Sequence, residues 1–425
     1  MKKISKWVLT QSEFVRNTMI IGIGTSIAQL FPMLFYPILS RLFSPAEFGL
    51  LATLTAITGI LAVLASGKYE SAILIADSKE EAANLIGLTL ALSFFFLIVS
   101  IIVLQLGYRH LENWLNEPGL AYWLFICPIS AFAIIIFNCY NEWCVRNKYF
   151  STLAVNKVTN ASSTTLSKLF LGLIKISGNG LALGDLLGRL VSAGICLYRA
   201  IKIDKETFTK ISILKFKPLA IKFKEFPKYT LPDQLLSQIG GTLPILFIGT
   251  FYNSTEVGYY GMTMNILSVP VSVVSIAIRD VFRQKANEDY LKTGSCKSLF
   301  VKLLKNISIL GILGSIGLFF ILPTLFSFVL GKEWQISGEY SRILLPMITL
   351  SFISMSLSGV LIIRKKMNIS MFWQIYYVLS TLLSLIIGFL VFNNLKMVLI
   401  CFAIGRSSAY LMYILLSFHF SKAQI

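Results

Sequence analysis

The sequence predicts an all-α membrane protein that crosses the bilayer about twelve times, in two pseudo-symmetric bundles of six helices. Three observations carry this. Hydrophobic residues make up 56% of the 425 and charged residues only 14%, against roughly 25% charged in soluble domains. Apolar runs of about 20 residues, the length a helix needs to cross the hydrocarbon core, recur along nearly the whole chain. A short turn also occurs twice, as Ser44-Pro45-Ala46-Glu47-Phe48-Gly49 and as Asn253-Ser254-Thr255-Glu256-Val257-Gly258. Each copy puts Glu two residues before Gly, follows an apolar run containing proline and precedes a run rich in Leu, Ile and Val. Repetition at about half the chain length points to duplicated membrane bundles, an arrangement typical of transporters.

The spans fall near 17–39, 46–66, 83–105, 119–140, 152–174, 180–200, 231–251, 257–279, 305–330, 340–363, 370–392 and 396–419, the fifth being weakest in hydropathy. An even number leaves both termini on one side, and charge says which. Lys2, Lys3, Lys6, Lys68, Lys79, Arg146, Lys148, Arg364, Lys365 and Lys366 share a side with two rich loops. One loop holds eight lysines from Lys202 to Lys228, the other Arg283, Lys285, Lys292, Lys297 and Lys302. The opposite side carries mainly Arg41, Arg109, Lys175, Lys332 and Lys396. Basic loops stay cytoplasmic, so both termini are expected there. The net charge of +18 has this origin, and no nucleic-acid partner is expected. Residues 1–6 read as an uncleaved basic arm, because the apolar stretch after them is too short for a signal peptide.

The longest loop divides the chain into a lobe over 1–200, a basic linker over 201–230 and a second lobe over 231–425. Lys215-Phe216-Lys217-Pro218 and Lys222-Phe223-Lys224 alternate basic and apolar residues. Two structures fit that pattern, a helix lying on the anionic leaflet and a solvated linker. The outer loops are too short for a folded catalytic module. Six cysteines form no CxxC pair and His110 and His419 are the only histidines, so neither a disulfide framework nor a metal site is expected.

Charge inside a span is costly and usually faces protein or water. The fifth span holds Asn156, Lys157, Asn160, Thr164, Ser167 and Lys168. At about 100° per residue, Lys157 and Lys168 return to nearly the same helix face. The stripe reads either as a wet, anion-attracting cavity or as hydroxyls bonding neighbouring helices with Lys157 snorkelling to the surface. Asp185 and Arg189, four apart on the sixth span, are placed to pair, as a structural ion pair or as an ion-coupled gate. Arg406 lies mid-span with no acid on its own helix. Asp233 opens the seventh span as a cap or a coupling carboxylate, and Arg41 closes the first where a phosphate could meet it. Prolines 32, 37, 128, 244, 270, 323 and 346 fall inside spans, where they kink helices and free carbonyls. Gly311, Gly314 and Gly317 predict close packing of the ninth span.

The segment Tyr36-Pro37-Ile38-Leu39-Ser40-Arg41-Leu42-Phe43-Ser44-Pro45-Ala46-Glu47-Phe48-Gly49 resembles the first outer turn of polysaccharide exporters of the MOP superfamily, and Phe251 to Gly258 resembles the matching turn of their second half. With its length, twelve spans and pseudo-repeat, the chain looks most like the Wzx-type flippases of O-antigen and capsule repeat units. The resemblance implies a MATE/MOP-like fold and no enzymatic chemistry. It implies movement of an undecaprenyl-diphosphate-linked oligosaccharide to the outer leaflet of the bacterial cytoplasmic membrane, driven by protons or sodium. Membrane lipids, and the polymerase and chain-length regulator of the same pathway, are the partners it brings, with no cofactor. Candidate substrate contacts are Lys157, Lys168, Arg189, Arg406 and Arg41, and candidate coupling acids are Asp185 and Asp233. A MATE-like drug antiporter would favour acidic pockets, which the basic fifth span opposes. An O-antigen polymerase would carry a large arginine-bearing outer loop, which the sequence lacks.

Overall fold

The computed structural model describes residues 13–114, 120–175, 179–364 and 366–422; the basic arm at 1–6 and Lys365 lie outside them. Twelve long helices follow one another among the described residues. They are α1 (Glu13–Leu42), α2 (Pro45–Ser66), α3 (Lys79–Trp114), α4 (Ile126–Arg146), α5 (Phe150–Leu173) and α6 (Gly180–Ile203), then α7 (Leu231–Phe251), α8 (Ser254–Thr293), α9 (Lys297–Leu330), α10 (Gln335–Ser356), α11 (Met367–Phe392) and α12 (Leu395–Ser421). Eleven are long and apolar enough to cross a membrane. The exception is α5, whose lysines, asparagines and hydroxyls lower its hydropathy as its sequence foretold. The chain divides into two compact units, one made of everything up to Phe43 with Thr53–Leu235, the other of Ser44–Ala52 with Leu236–Ile425.

Each unit repeats one packing plan. In the first, α3 packs on α4, α4 on α6 and α5 on α6; in the second, α9 packs on α10, α10 on α12 and α11 on α12. The partners are six helices apart in sequence, as a duplication requires. Trp143, Ile73, Leu85 and Cys139 centre the first core, and Phe282, Phe300, Leu357 and Val360 one core of the second. All six cysteines are free, five of them buried.

The duplicated turns have a structural cause. Ser44 caps α2: its backbone N–H donates to Glu47 Oε2 at 2.8 Å, and Glu47 N–H returns to Ser44 Oγ at 3.4 Å. This reciprocal box takes Glu or Gln three residues after the cap. In the second copy Asn253 Oδ1 accepts from Glu256 N–H at 2.9 Å, and Glu256 accepts from Tyr340. The glycines complete the pattern inside the second unit, where the first turns of α2 cross α8. A Cβ on Gly49 would sit 1.7 Å from the Ser254 carbonyl oxygen, and a Cβ on Gly258 would sit 1.8 Å from that of Pro45. Each glycine therefore meets the backbone at the first helical residue of the other copy.

The loop after α6 is a strap docked on the first unit. It forms short turns at Lys205–Phe208, Ile213–Lys215, Phe216–Lys222 and Phe226–Thr230. Leu219 and Phe223 enter the core, Tyr69 donates to the Ala220 carbonyl at 3.2 Å, and Trp143 Nε1 donates to Asp204 at 2.9 Å. Lys222 pairs with Asp77 at 2.6 Å and with Glu81, and Lys215 pairs with Glu80. Ile213 and Leu214 remain 81% and 87% exposed. On α9 only Gly311 meets neighbours, Thr349 and Phe352; a Cβ on Gly314 or Gly317 would find open space, so the glycine pattern there marks one close approach rather than three.

Two expectations follow. Gly258→Ala should destabilise the detergent-purified protein by about 1–3 kcal/mol or more, the usual range for forced overpacking. Gly261→Ala, whose Cβ would meet Ala52 at 3.4 Å, should melt near wild type. For the strap, the hydrogen bond from Lys222 holds the Asp77 carboxyl below its usual range. That contribution is present at neutral pH and lost as pH falls through the lowered value. Protection of the amides across 216–222, measured against their intrinsic exchange rates, should therefore fall in acid, and should already be low at neutral pH in Asp77→Asn/Glu81→Gln. Unchanged exchange in that variant would show that the Lys222 pairs do not hold the strap, leaving Leu219, Phe223 and the Tyr69 bond to Ala220 to do so.

Candidate functional site: a cationic seam between two helices

The polar fifth span is legible only with its neighbour. Helix α6 reads Gly180-Leu-Ala-Leu-Gly184-Asp185-Leu-Leu-Gly188-Arg189, a small residue every fourth position, which lets helix backbones approach closely. A Cβ on Gly184 would lie 2.6 Å from Lys168 Cα, and one on Gly188 would lie 2.3 Å from Thr164 Cα. Ser163 Oγ donates across the contact to the Gly188 carbonyl at 2.9 Å. At this separation the polar stripe of α5 lies directly against α6.

Two cations then close on one acid. Lys168 Nζ lies 2.7 Å from Asp185 Oδ1, and Arg189 Nε lies 2.5 Å from Asp185 Oδ2. All three side chains are at most 19% exposed. The carboxylate is thus shared, and the cluster keeps a positive charge. Further along, Lys157 Nζ donates to Thr25 Oγ1 of α1 at 2.9 Å. Arg199 of α6 donates to Asn156 Oδ1, while Asn156 Nδ2 donates to Asn141 Oδ1 of α4 at 3.1 Å. The seam from Asn156 to Lys168 is about 18 Å long at 1.5 Å per residue. Along it stand Lys157, Lys168, Arg189 and Arg199 against Asp185 alone. Sequence reasoning overlooked Arg199 and the glycine ladder; the four-residue glycine spacing was the available signal for the ladder.

The other predicted residues lie elsewhere. Arg41 is exposed in the last turn of α1; the next two residues, Leu42 and Phe43, pack over Gly172. Asp233 is exposed in the first turn of α7. Arg406 belongs to the second unit and is 6% exposed. Its Nη1 donates to the Gly240 carbonyl and to Thr381 Oγ1, both at 2.8 Å. Its guanidinium lies 3.9 Å from the Tyr377 ring centre and 5.4 Å from that of Phe402. Gly240 is four residues before Pro244, which has no N–H to give it. The partner this arginine needed is thus a freed carbonyl and aromatic faces rather than an acid. Arg342 repeats the device, donating to the carbonyl of Phe319 at 2.7 Å, four residues before Pro323.

Twelve helices, two like-packed units and a charged seam between helices define a multi-pass membrane protein with the MOP-superfamily fold. The chain belongs to the polysaccharide biosynthesis protein family, whose model matches residues 38–338. It is 22% identical, over 78% of its length and 67% of the relative's, to an uncharacterised membrane protein in the cps region of Klebsiella pneumoniae. Among solved structures it resembles lipid II flippase MurJ in an inward closed conformation (TM-score 0.74, 15% identity, 93% of this chain and 87% of that one). It also resembles an inward-facing multidrug resistance MATE transporter of the MOP superfamily (TM-score 0.70, 18% identity, 94% and 97%). A third is a MOP superfamily transporter from Pyrococcus furiosus, described by the reverse polarity of its binding pocket (TM-score 0.64, 18% identity, 95% and 94%). At such identities the likeness is one of fold.

Removing the shared acid should cost more than removing either cation. Asp185→Asn leaves two buried cations facing each other and is expected to destabilise by about 3–5 kcal/mol. Lys168→Met leaves the Asp185–Arg189 pair intact and should cost less, and adding it to Asp185→Asn should recover part of the loss. Melting temperatures of the purified variants check the order.

Proposed function

We propose that this protein is a flippase that carries an undecaprenyl-diphosphate-linked oligosaccharide, an O-antigen or capsule repeat unit, from the inner to the outer leaflet of the bacterial cytoplasmic membrane. The observation that carries the reading is the seam, with four cations and one carboxylate set into membrane helices. An uncompensated charge in hydrocarbon costs several kcal/mol, so a diphosphate crosses only where fixed positive charge and hydrogen-bond donors replace its water. Asp185 keeps Lys168 and Arg189 ordered while the passage is empty. An arriving diphosphate competes for the same donors and leaves the site nearer neutrality. Thr164 and Ser167 lie on the same stripe as hydroxyls for phosphate or sugar.

The family's place in polysaccharide biosynthesis supports a glycan cargo, and the fold shared with a lipid II flippase supports a lipid-linked one. Transport of this kind breaks no covalent bond. It needs alternating access to the two leaflets and an ion gradient to make it directional. Charge bias supports a cytoplasmic side for both termini. The cationic seam does not favour a cationic drug as substrate.

In a flippase-null strain, Lys168→Ala should reduce surface polysaccharide roughly tenfold or more, the loss of one charge-assisted bond of about 1.5–3 kcal/mol. The protein should remain in the membrane at wild-type level, because Asp185 keeps Arg189. Arg189→Gln should act in the same direction. Full restoration of surface polysaccharide by the double variant would remove the seam from the transport path.

A further inference from the structure

The strap after α6 turns two large apolar residues away from the protein. Ile213 is 81% exposed and Leu214 87%. Apolar neighbours on both sides point the other way. Ile211 and Phe216 pack against the first core, and Leu219 and Phe223 belong to it. The chain therefore dips into the unit at Ile211, swings outward over Ile213 and Leu214, and returns at Phe216. Hydrogen bonds fix this excursion. Ser212 N–H donates to Asn84 Oδ1 at 2.9 Å, and Asn84 Nδ2 donates to the Lys210 carbonyl at 3.5 Å. A 3-10 turn over Ile213–Lys215 is closed by Lys215 N–H on the Ser212 carbonyl at 3.0 Å.

Helix α3 sets the level of the excursion. It starts at Lys79, and its apolar run opens near residue 83. A Cβ on Gly87, one turn inside that run, would sit 2.6 Å from Ile211 Cγ2 and 3.0 Å from Phe216 Cζ. Ile213 and Leu214 stand between these two contacts, at the depth where head groups give way to acyl chains. Charge bias supports the cytoplasmic side for this end of α3, which is the side of the anionic leaflet.

Charge completes the surface. From Lys205 to Lys228 the strap carries seven lysines and two glutamates. Lys215 is committed to Glu80, and Lys222 to Asp77 and Glu81. Lys210 and Lys217, three residues before and three after the apolar pair, are exposed, and among the described residues no ion pair takes them. A helix lying flat on the leaflet does not describe this segment, because Leu219 of the turn Phe216–Lys222 faces the core. A solvated linker does not describe it either, because its bonds to Asn84 hold two large apolar side chains outward.

We propose that Ile213 and Leu214 form a wedge set into the hydrocarbon of the cytoplasmic leaflet, and that Lys210 and Lys217 hold anionic phospholipid head groups around it. Apolar tips below flanking ammonium groups are the arrangement that binds an anionic membrane surface. The wedge is independent of what the protein carries, so it stands or falls apart from the flippase reading.

A bimane label on Leu214→Cys in the full-length protein, held in nanodiscs of mixed phosphatidylcholine and phosphatidylglycerol, tests both halves. Wild-type protein treated alike gives the background from its own cysteines. Acrylamide in the water should quench the label at 214 several-fold less than one at Glu206→Cys, an exposed residue earlier in the strap. Doxyl-labelled phosphatidylglycerol should quench 214 better than doxyl-labelled phosphatidylcholine, by roughly fivefold for each lysine engaged at low salt. Lys210→Gln/Lys217→Gln should remove that preference and leave the acrylamide result unchanged. Equal acrylamide quenching at 214 and 206 overturns the wedge. Equal quenching by the two lipids, or a preference that survives the double variant, overturns the role of the lysines. Loss of the preference to inorganic phosphate, but not to sodium chloride of matched ionic strength, would mark a free-phosphate site and also overturn the proposal.

Discussion

A polar group placed in hydrocarbon has no water to fall back on, and this constraint organises the structure. It accounts for the two arginine–proline pairs of the second unit. Pro244 and Pro323 each sit inside a helix and each strand a carbonyl one turn earlier. Arg406 and Arg342 come from other helices to take those carbonyls. Each arginine in turn lies against an aromatic face, Tyr377 for Arg406 and Phe319 for Arg342, which stabilises a cation where no carboxylate is at hand. Proline and arginine are each expensive in a span, and together they meet each other's needs.

The first unit answers the same constraint in a different way. It concentrates charge along α5 and α6, where close backbone contact at Gly184 and Gly188 puts Lys168 and Arg189 on one acid. A site with more cations than acids is tolerable only if it is hydrated or meets an anion.

Much of the scaffold is readable from hydropathy, because crossing a bilayer demands long apolar runs and little else. The predicted span 180–200 is α6, and 231–251 is α7. Where the helices outrun the prediction, as α8 does to Thr293, a polar but helix-compatible stretch continues beyond the apolar part. The site was half legible. Periodicity placed Lys157 and Lys168 on one face of α5 and spaced Asp185 to reach Arg189. It said nothing of Lys168 reaching Asp185, because contacts between helices depend on registers set by packing. Arg406 was seen to need a partner, but that partner is a carbonyl made available by a proline some 160 residues earlier.

The crossing of Gly49 and Gly258 bears on how the two halves of the gene can drift apart. Each glycine is confined by the main chain of the opposite copy, so no side-chain change elsewhere can make room for a larger residue at either position. The cap-to-glycine spacing is tied to the same contact, because the carbonyl each glycine meets belongs to the residue just after the other copy's cap. A deletion or insertion in one turn would misalign both contacts at once. Around this point the copies are otherwise free to diverge, and they have: Pro45 faces Ser254 and Phe48 faces Val257 in the alignment of the turns, while cap, acid and glycine keep their places. What survives of the ancestral duplication is therefore the part that two backbones impose on each other.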